Sequence, residues 1–135
     1  MNYYFITGTS RGIGKALAEE LLKNDNNVVI GISRSESIQH TNYKHISLDL
    51  NNLKAVVDYQ FDNLENADKI VLVNNSGILG HVKHVGNIDN QQIIDSFNIN
   101  LIAPVVLTNN FVAKYKEVVA DKIVLNISSG AAKYV

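Results

Sequence analysis

The 135-residue sequence has no cysteine, so disulfides, thiolate metal sites and a cysteine nucleophile are excluded. It has a single proline, Pro104. It lacks a dominant charge: 12 basic and 13 acidic residues give a formal net charge of −1, with the two signs interspersed. A nucleic-acid or anionic-membrane surface needs a basic excess, and none is present. No apolar run approaches the about 18 residues of a membrane-spanning helix. Met1 leads almost directly into an apolar strand-like run, which leaves no room for a signal peptide. The expected compartment is therefore the cytoplasm. There is no internal repeat, low-complexity tract or linker, and the length allows one domain, residues 1–135.

With 46% apolar and only 19% charged residues, the chain can bury a core. Its most informative stretch is Tyr3-Tyr4-Phe5-Ile6-Thr7 followed by Gly8-Thr9-Ser10-Arg11-Gly12-Ile13-Gly14. An apolar run reaches three glycines spaced G-x-x-x-G-x-G, and an amphipathic run begins at once. This reads as strand, tight turn and helix start, a corner whose backbone N–H groups and helix dipole suit an anion. A P-loop is rejected. The leading glycine it needs is Thr9, and the Mg²⁺-binding Ser/Thr after Gly14-Lys15 is Ala16.

Apolar positions Ile13, Leu17, Leu21 and Leu22 form one helical face, with Glu19 and Lys23 spaced for an i,i+4 pair. Val28–Ile32 reads as a parallel strand buried on both faces, completing a βαβ unit. An NAD-type site places an acid about 20 residues past the glycines. Here that position is Arg34, after Ser33, which suits the 2′-phosphate of NADP, with Arg11 available to join it. A third strand is expected over 44–50, ending near Asp49, and a helix over 52–61. A fourth strand, Ile70–Val73, stops at Asn74-Asn75-Ser76-Gly77, where open α/β sheets bind ligands. His81 and His84 form an H-x-x-H pair, but no acid cluster is near it in sequence, so no metal is expected. Asp89-Asn90-Gln91-Gln92 reads as a capping box. The long helical pattern after it contains Pro104, which predicts a break near Asn100. A fifth strand over Ile123–Ile127 leads to Ser128-Ser129-Gly130. The alternation predicts a doubly wound, Rossmann-like α/β fold with a parallel sheet, the first strand central, and every polar signal on the carboxyl edge.

Thr7-Gly8-x-x-x-Gly12-x-Gly14, Asn74-Asn75-Ser76-Gly77, Asn100 before Leu101, and Ile127-Ser128-Ser129 together resemble the short-chain dehydrogenase/reductase family over the whole chain. Ser76 stands where that family usually has Ala. Thr9-Ser10-Arg11, Asn100–Pro104 and Ser128–Lys133 are most similar to its sepiapterin reductase and bacterial benzil reductase branches.

The resemblance implies an oxidoreductase reducing a carbonyl substrate with NADP(H), in preference to NAD(H). It implies that Gly8, Ser10, Arg11, Gly12, Ile13 and Gly14 line the adenosine and pyrophosphate site. Arg34 would hold the 2′-phosphate, Asp49 and Leu50 would flank adenine, and Asn75, Ser76 and Gly77 would meet the nicotinamide-side ribose. Ser129 matches the substrate-polarising Ser, and Asn100 the Asn that organises a proton-relay water. Full-length members are expected to be homo-oligomers. One departure is large. The family's Tyr-x-x-x-Lys pair would fall beyond Val135, and Tyr134, with no Lys four residues on, is a poor substitute. The expectation is therefore a chain with about five strands, incomplete at its C-terminal side, inactive alone, and with an apolar edge beside the fifth strand. A non-catalytic nucleotide-binding module is the alternative. An in-frame Tyr-x-x-x-Lys soon after codon 135 would decide between them.

Overall fold

The computed structural model describes residues 1–129; Gly130, Ala131, Ala132, Lys133 and Tyr134 of the sequence motifs lie outside the described residues. Among the described residues five strands form one sheet: β1 (Asn2–Thr7), β2 (Asn27–Ser33), β3 (Tyr43–Ser47), β4 (Lys69–Asn74) and β5 (Asp121–Asn126). Their order is β3-β2-β1-β4-β5, and every pairing is parallel. The Rossmann-like arrangement with a central β1 is as expected. Helix α1 (Gly12–Leu21) connects β1 to β2, residues 34–42 join β2 to β3 without a helix, α2 (Leu53–Asp58) lies between β3 and β4, and α3 (Asn90–Phe97), a π-helical turn (Asn98–Ile102) and α4 (Ala103–Tyr115) lead from β4 to β5.

The two-residue period of the strands divides the core between the sheet's faces. Phe5, Ile30, Ile32, Ile70 and Leu72 point to the face covered by α4, where Leu107, Phe111 and Tyr115 meet them. Ile6, Val29, Val71 and Val73 point to the other face and pack on Ala18 and Leu22. Phe5 and Phe61 meet edge to face with ring centroids 5.0 Å apart, and Phe111 and Tyr115 do so at 5.1 Å.

Several boundaries differ from the sequence reading, each for a physical reason. β3 ends at Ser47 rather than Asp49 because it is an edge strand whose one neighbour, β2, ends at Ser33 opposite Ser47. Leu48 still donates its N–H to the Ser33 carbonyl at 3.1 Å, after which the chain leaves the sheet, and Leu48 and Leu50 enter the core. Helix α2 stops at Asp58, and Tyr59 turns extended, which lets both Tyr59 and Phe61 enter the aromatic cluster. Lys23 pairs with Glu20, while Glu19 pairs with Lys15. The capping box is half formed. Asp89 Oδ1 accepts from the Gln91 N–H, but the Gln92 side-chain amide is turned to His81 Nδ1 at 2.9 Å. The expected break before Pro104 takes the form of the π turn, which absorbs the register change with both flanks still helical. On the far side, β5 is an edge strand with Ile123 and Leu125 exposed.

Candidate functional site

The site is built where β1 and β4 end side by side and their following loops part, the position at which open α/β sheets form a crevice. Thr7, the last residue of β1, is fully buried. Its Oγ1 accepts from the backbone N–H of Asn75 at 2.9 Å and of Ser76 at 3.0 Å. In return Asn75 Nδ2 donates to the Thr7 carbonyl at 2.9 Å. The glycine loop and the Asn-Asn-Ser-Gly loop are thus stitched into one rigid wall.

Two glycines are required by that closeness. Gly8 has φ +78°, and a Cβ there would stand 2.8 Å from Ser76 Oγ. Gly14 has an ordinary φ, but its Cβ would meet the Gly8 carbonyl oxygen at 2.3 Å and Asn75 Nδ2 at 2.4 Å. Gly12 is different: it has φ +59° and nothing lies within 4 Å of a Cβ built there. It opens α1 toward free space, and the N-cap residue Arg11 lends that helix no side-chain acceptor. The helix N-terminus therefore faces the cleft with its donors available, which is the physical basis of anion binding at such ends.

A cleft of about 340 Å³ occupies this edge. Its walls bring together Gly8, Ser10, Arg11, Gly12 and Ile13 from the glycine loop and Arg34 from the end of β2. Asp49 and Leu50 close the side after β3, and Asn75, Ser76 and Gly77 close the side after β4. Of the twelve residues assigned to cofactor binding, Gly14 alone is not on the wall; it is buried behind it, where it permits the loop to close. Sequence reasoning missed Ile32, Leu48, Ile78 and Ile99, which supply apolar wall. Ile32 and Leu48 were visible as strand residues, but nothing in their pattern showed which end of a side chain meets the cleft. Asn74 does not join the wall. Its Nδ2 donates to Thr108 Oγ1 and Asn126 Oδ1, tying β4 to α4 and β5.

Asn100 lies in the π turn, and both ends of its amide clamp the backbone of Ile78. Nδ2 donates to the Ile78 carbonyl at 2.8 Å, and Oδ1 accepts the Ile78 N–H at 2.9 Å. Asn100 is therefore joined to the cleft through the loop after β4 rather than by lining it. Ser129 is exposed, three residues past the end of β5, on the same carboxyl edge of the sheet. Among the described residues no group of three His, Cys, Asp or Glu is placed to hold a metal. No helix among them is long and apolar enough to cross a membrane.

Two exposed guanidinium groups, a free helix N-terminus and apolar side walls make a cleft suited to a phosphorylated ligand with a flat apolar part. Arg34 stands at the corner where an acid would favour an unphosphorylated ribose.

Known proteins resemble this chain over nearly its whole length. The family profile described as short chain dehydrogenase matches residues 2–135. A benzil reductase ((S)-benzoin forming) of Bacillus cereus is 38% identical, over 98% of this chain and 58% of its own length. Its counterpart in Bacillus subtilis (strain 168) is 32% identical, over 98% of this chain and 57% of its own length. The crystal structure of a short-chain dehydrogenase/reductase from Burkholderia vietnamiensis superposes with a TM-score of 0.85 at 25% identity, covering 98% of this chain and 65% of that one. The chain thus spans a little over half the length of the curated relatives it matches. On its fold, its carboxyl-edge cleft and a match running through nearly all of its residues, this chain belongs to the short-chain dehydrogenase family.

Proposed function

We propose that this chain forms the cofactor-binding half of an NADPH-dependent carbonyl reductase. The observation that carries the reading is the corner after β2. Arg34 and Arg11 share one cleft there, and no carboxylate takes the ribose-binding position. In this reading the glycine loop, from Gly8 to Ile13, holds the pyrophosphate with backbone donors, and Gly14 keeps that loop tight against Asn75. Arg34 and Arg11 hold the 2′-phosphate, Ser10 supports them, and Asp49 and Leu50 border adenine. Asn75, Ser76 and Gly77 meet the nicotinamide-side ribose. When bound, the cofactor supplies hydride to a carbonyl carbon. Ser129 then donates a hydrogen bond to the carbonyl oxygen as negative charge grows on it. Asn100 keeps the loop after β4 in place and offers its π turn to a proton-relay water.

No Tyr-x-x-x-Lys pair occurs within the 135 residues, so proton donation is assigned outside them. The likeness to two benzil reductases makes benzil the first carbonyl to assay. The chain alone, with NADPH and benzil, is expected to bind cofactor without turnover; turnover would overturn the assignment of proton transfer elsewhere. Joined in frame to the unmatched remainder of the Bacillus cereus relative, it is expected to oxidise NADPH in the presence of benzil, and a Ser129→Ala version is not. A folded chimera that binds NADPH yet leaves benzil untouched would refute the choice of substrate. One indifferent to Ser129→Ala would refute the role of that hydroxyl.

A further inference from the structure

Beneath the Arg34 corner lies a polar chain that the reaction does not use. Tyr43 OH and Thr9 Oγ1 are 3.0 Å apart, Thr9 Oγ1 donates to Ser33 Oγ at 3.4 Å, and Ser33 Oγ donates to the Ser35 carbonyl at 2.9 Å. His45 Nε2 sits 3.2 Å from Ser33 Oγ and 3.1 Å from the Ser33 carbonyl oxygen. Ser37 Oγ donates to the Thr9 carbonyl at 3.0 Å.

A carbonyl only accepts, so His45 Nε2 carries a hydrogen, and Ser33 spends its own hydrogen on Ser35. Ser33 Oγ then accepts from Thr9, which leaves Thr9 Oγ1 to accept from the Tyr43 phenol. Burial raises the Tyr43 phenol above its ordinary pKa, with the Thr9 bond opposing that and Glu36 adding to it. The phenol is therefore a steady donor. Gly31 shows that the contact is built in. A Cβ there would fall 2.0 Å from Tyr43 OH and 2.5 Å from Thr9 Oγ1, so glycine is what lets the phenol reach across β2. Thr9 itself is fully buried.

We propose that Tyr43, Thr9 and Ser33 are positioning residues for nucleotide discrimination: their hydrogen-bonded chain pins the 33–37 turn, and with it Arg34, against the glycine loop that carries Ser10 and Arg11. The inference rests on the reading of the cleft as a site for a 2′-phosphorylated nucleotide. A turn held in place beforehand gives its arginine less freedom to lose on binding, so the gain falls on the 2′-phosphate alone.

Calorimetric titration of the full chain with adenosine 2′,5′-bisphosphate and adenosine 5′-monophosphate tests this, because both probes need only the adenosine half of the site. Wild type is expected to prefer the bisphosphate by about tenfold or more. Tyr43→Phe and Thr9→Val should each weaken the bisphosphate about five- to tenfold and leave the monophosphate within about twofold. Thr9→Ser, which keeps the hydroxyl, should retain the preference. If wild type does not discriminate, the cofactor reading falls and this inference with it. If wild type discriminates and Tyr43→Phe and Thr9→Val do so equally well, this inference alone falls. Equal losses for both probes, or a Thr9→Ser variant as impaired as Thr9→Val, would show a merely structural role and also overturn it. Tyr43→Phe removes a single oxygen from a partly buried ring, so it decides the matter even if Thr9→Val does not fold.

Discussion

Replacing Thr7 by valine removes one oxygen and keeps the shape of the side chain. The site predicts a large effect from so small a change. Thr7 Oγ1 is the acceptor for two backbone N–H groups, those of Asn75 and Ser76. A third bond, to the Val73 carbonyl, is long at 3.4 Å and adds little. Each buried donor left without an acceptor costs about 1–3 kcal/mol. Asn75 and Ser76 are half-buried, so water relieves part of that, and a total of about 2–3 kcal/mol is expected. With a urea m-value of about 1.5–2 kcal/mol/M, the unfolding midpoint should fall by about 1–2 M. Thr7→Ser keeps the acceptor and loses a buried methyl, for about 1 kcal/mol. The expected order of stability, by urea titration followed with circular dichroism, is wild type, then Thr7→Ser, then Thr7→Val. A Thr7→Val variant as stable as wild type, or a Thr7→Ser variant as weak as Thr7→Val, would refute the view that this hydroxyl joins the two loops. Nucleotide affinity should follow the same order, because Asn75, Ser76 and Gly77 form one wall of the cleft.

Three further outcomes are expected. Arg34→Ala should weaken NADPH about 10- to 100-fold, the value of a charge-assisted bond to phosphate, and change NADH by less than about threefold; equal losses in calorimetry would contradict its role. Gly14→Ala forces a Cβ to within 2.3 Å of a backbone oxygen and should cost about 1–3 kcal/mol, read as a melting temperature lower by several degrees, whereas an unchanged melting temperature would show that the loop opens freely. Tyr59 and Tyr115 are both raised by burial; Asp62 adds to the shift at Tyr59, and Tyr59 and then Asp62 add to it at Tyr115. Their neutral forms are thus favoured by folding, so the stability they contribute is intact below about pH 10 and lost as pH rises above it. Tyrosinate absorbance should show Tyr59 and Tyr115 titrating only together with unfolding, and their titration in the folded chain near pH 10 would contradict the burial argument.

Much of the fold was legible because strand and helix periods differ and glycine marks the turns. Val28–Ile32 and Ile70–Val73 read as buried parallel strands, and both are interior strands that flank β1. Pro104 marked the disruption that the π turn realises. Legibility failed where an element's end depends on a distant partner. Nothing in Leu48-Asp49-Leu50 reveals that β2 ends opposite Ser47. The aromatic cluster that draws Tyr59 and Phe61 off α2 is assembled from Phe5, Phe111 and Tyr115, remote in sequence. In the cleft, glycine spacing located the corner but not the division of labour within it. Gly8 and Gly14 serve close packing, while Gly12 leaves open space at the helix start. Thr7 headed the glycine motif with no role assigned to it, although its hydroxyl organises two loops. The one signal available was a polar residue directly before Gly8 at the close of an apolar run.

Whether this chain by itself holds an NADP(H) half-site is decided by calorimetric titration with NADPH and NADH. Saturable one-to-one binding is expected, with NADPH tighter by about tenfold or more. Absence of saturable binding by either dinucleotide, or tighter binding of NADH, would contradict it.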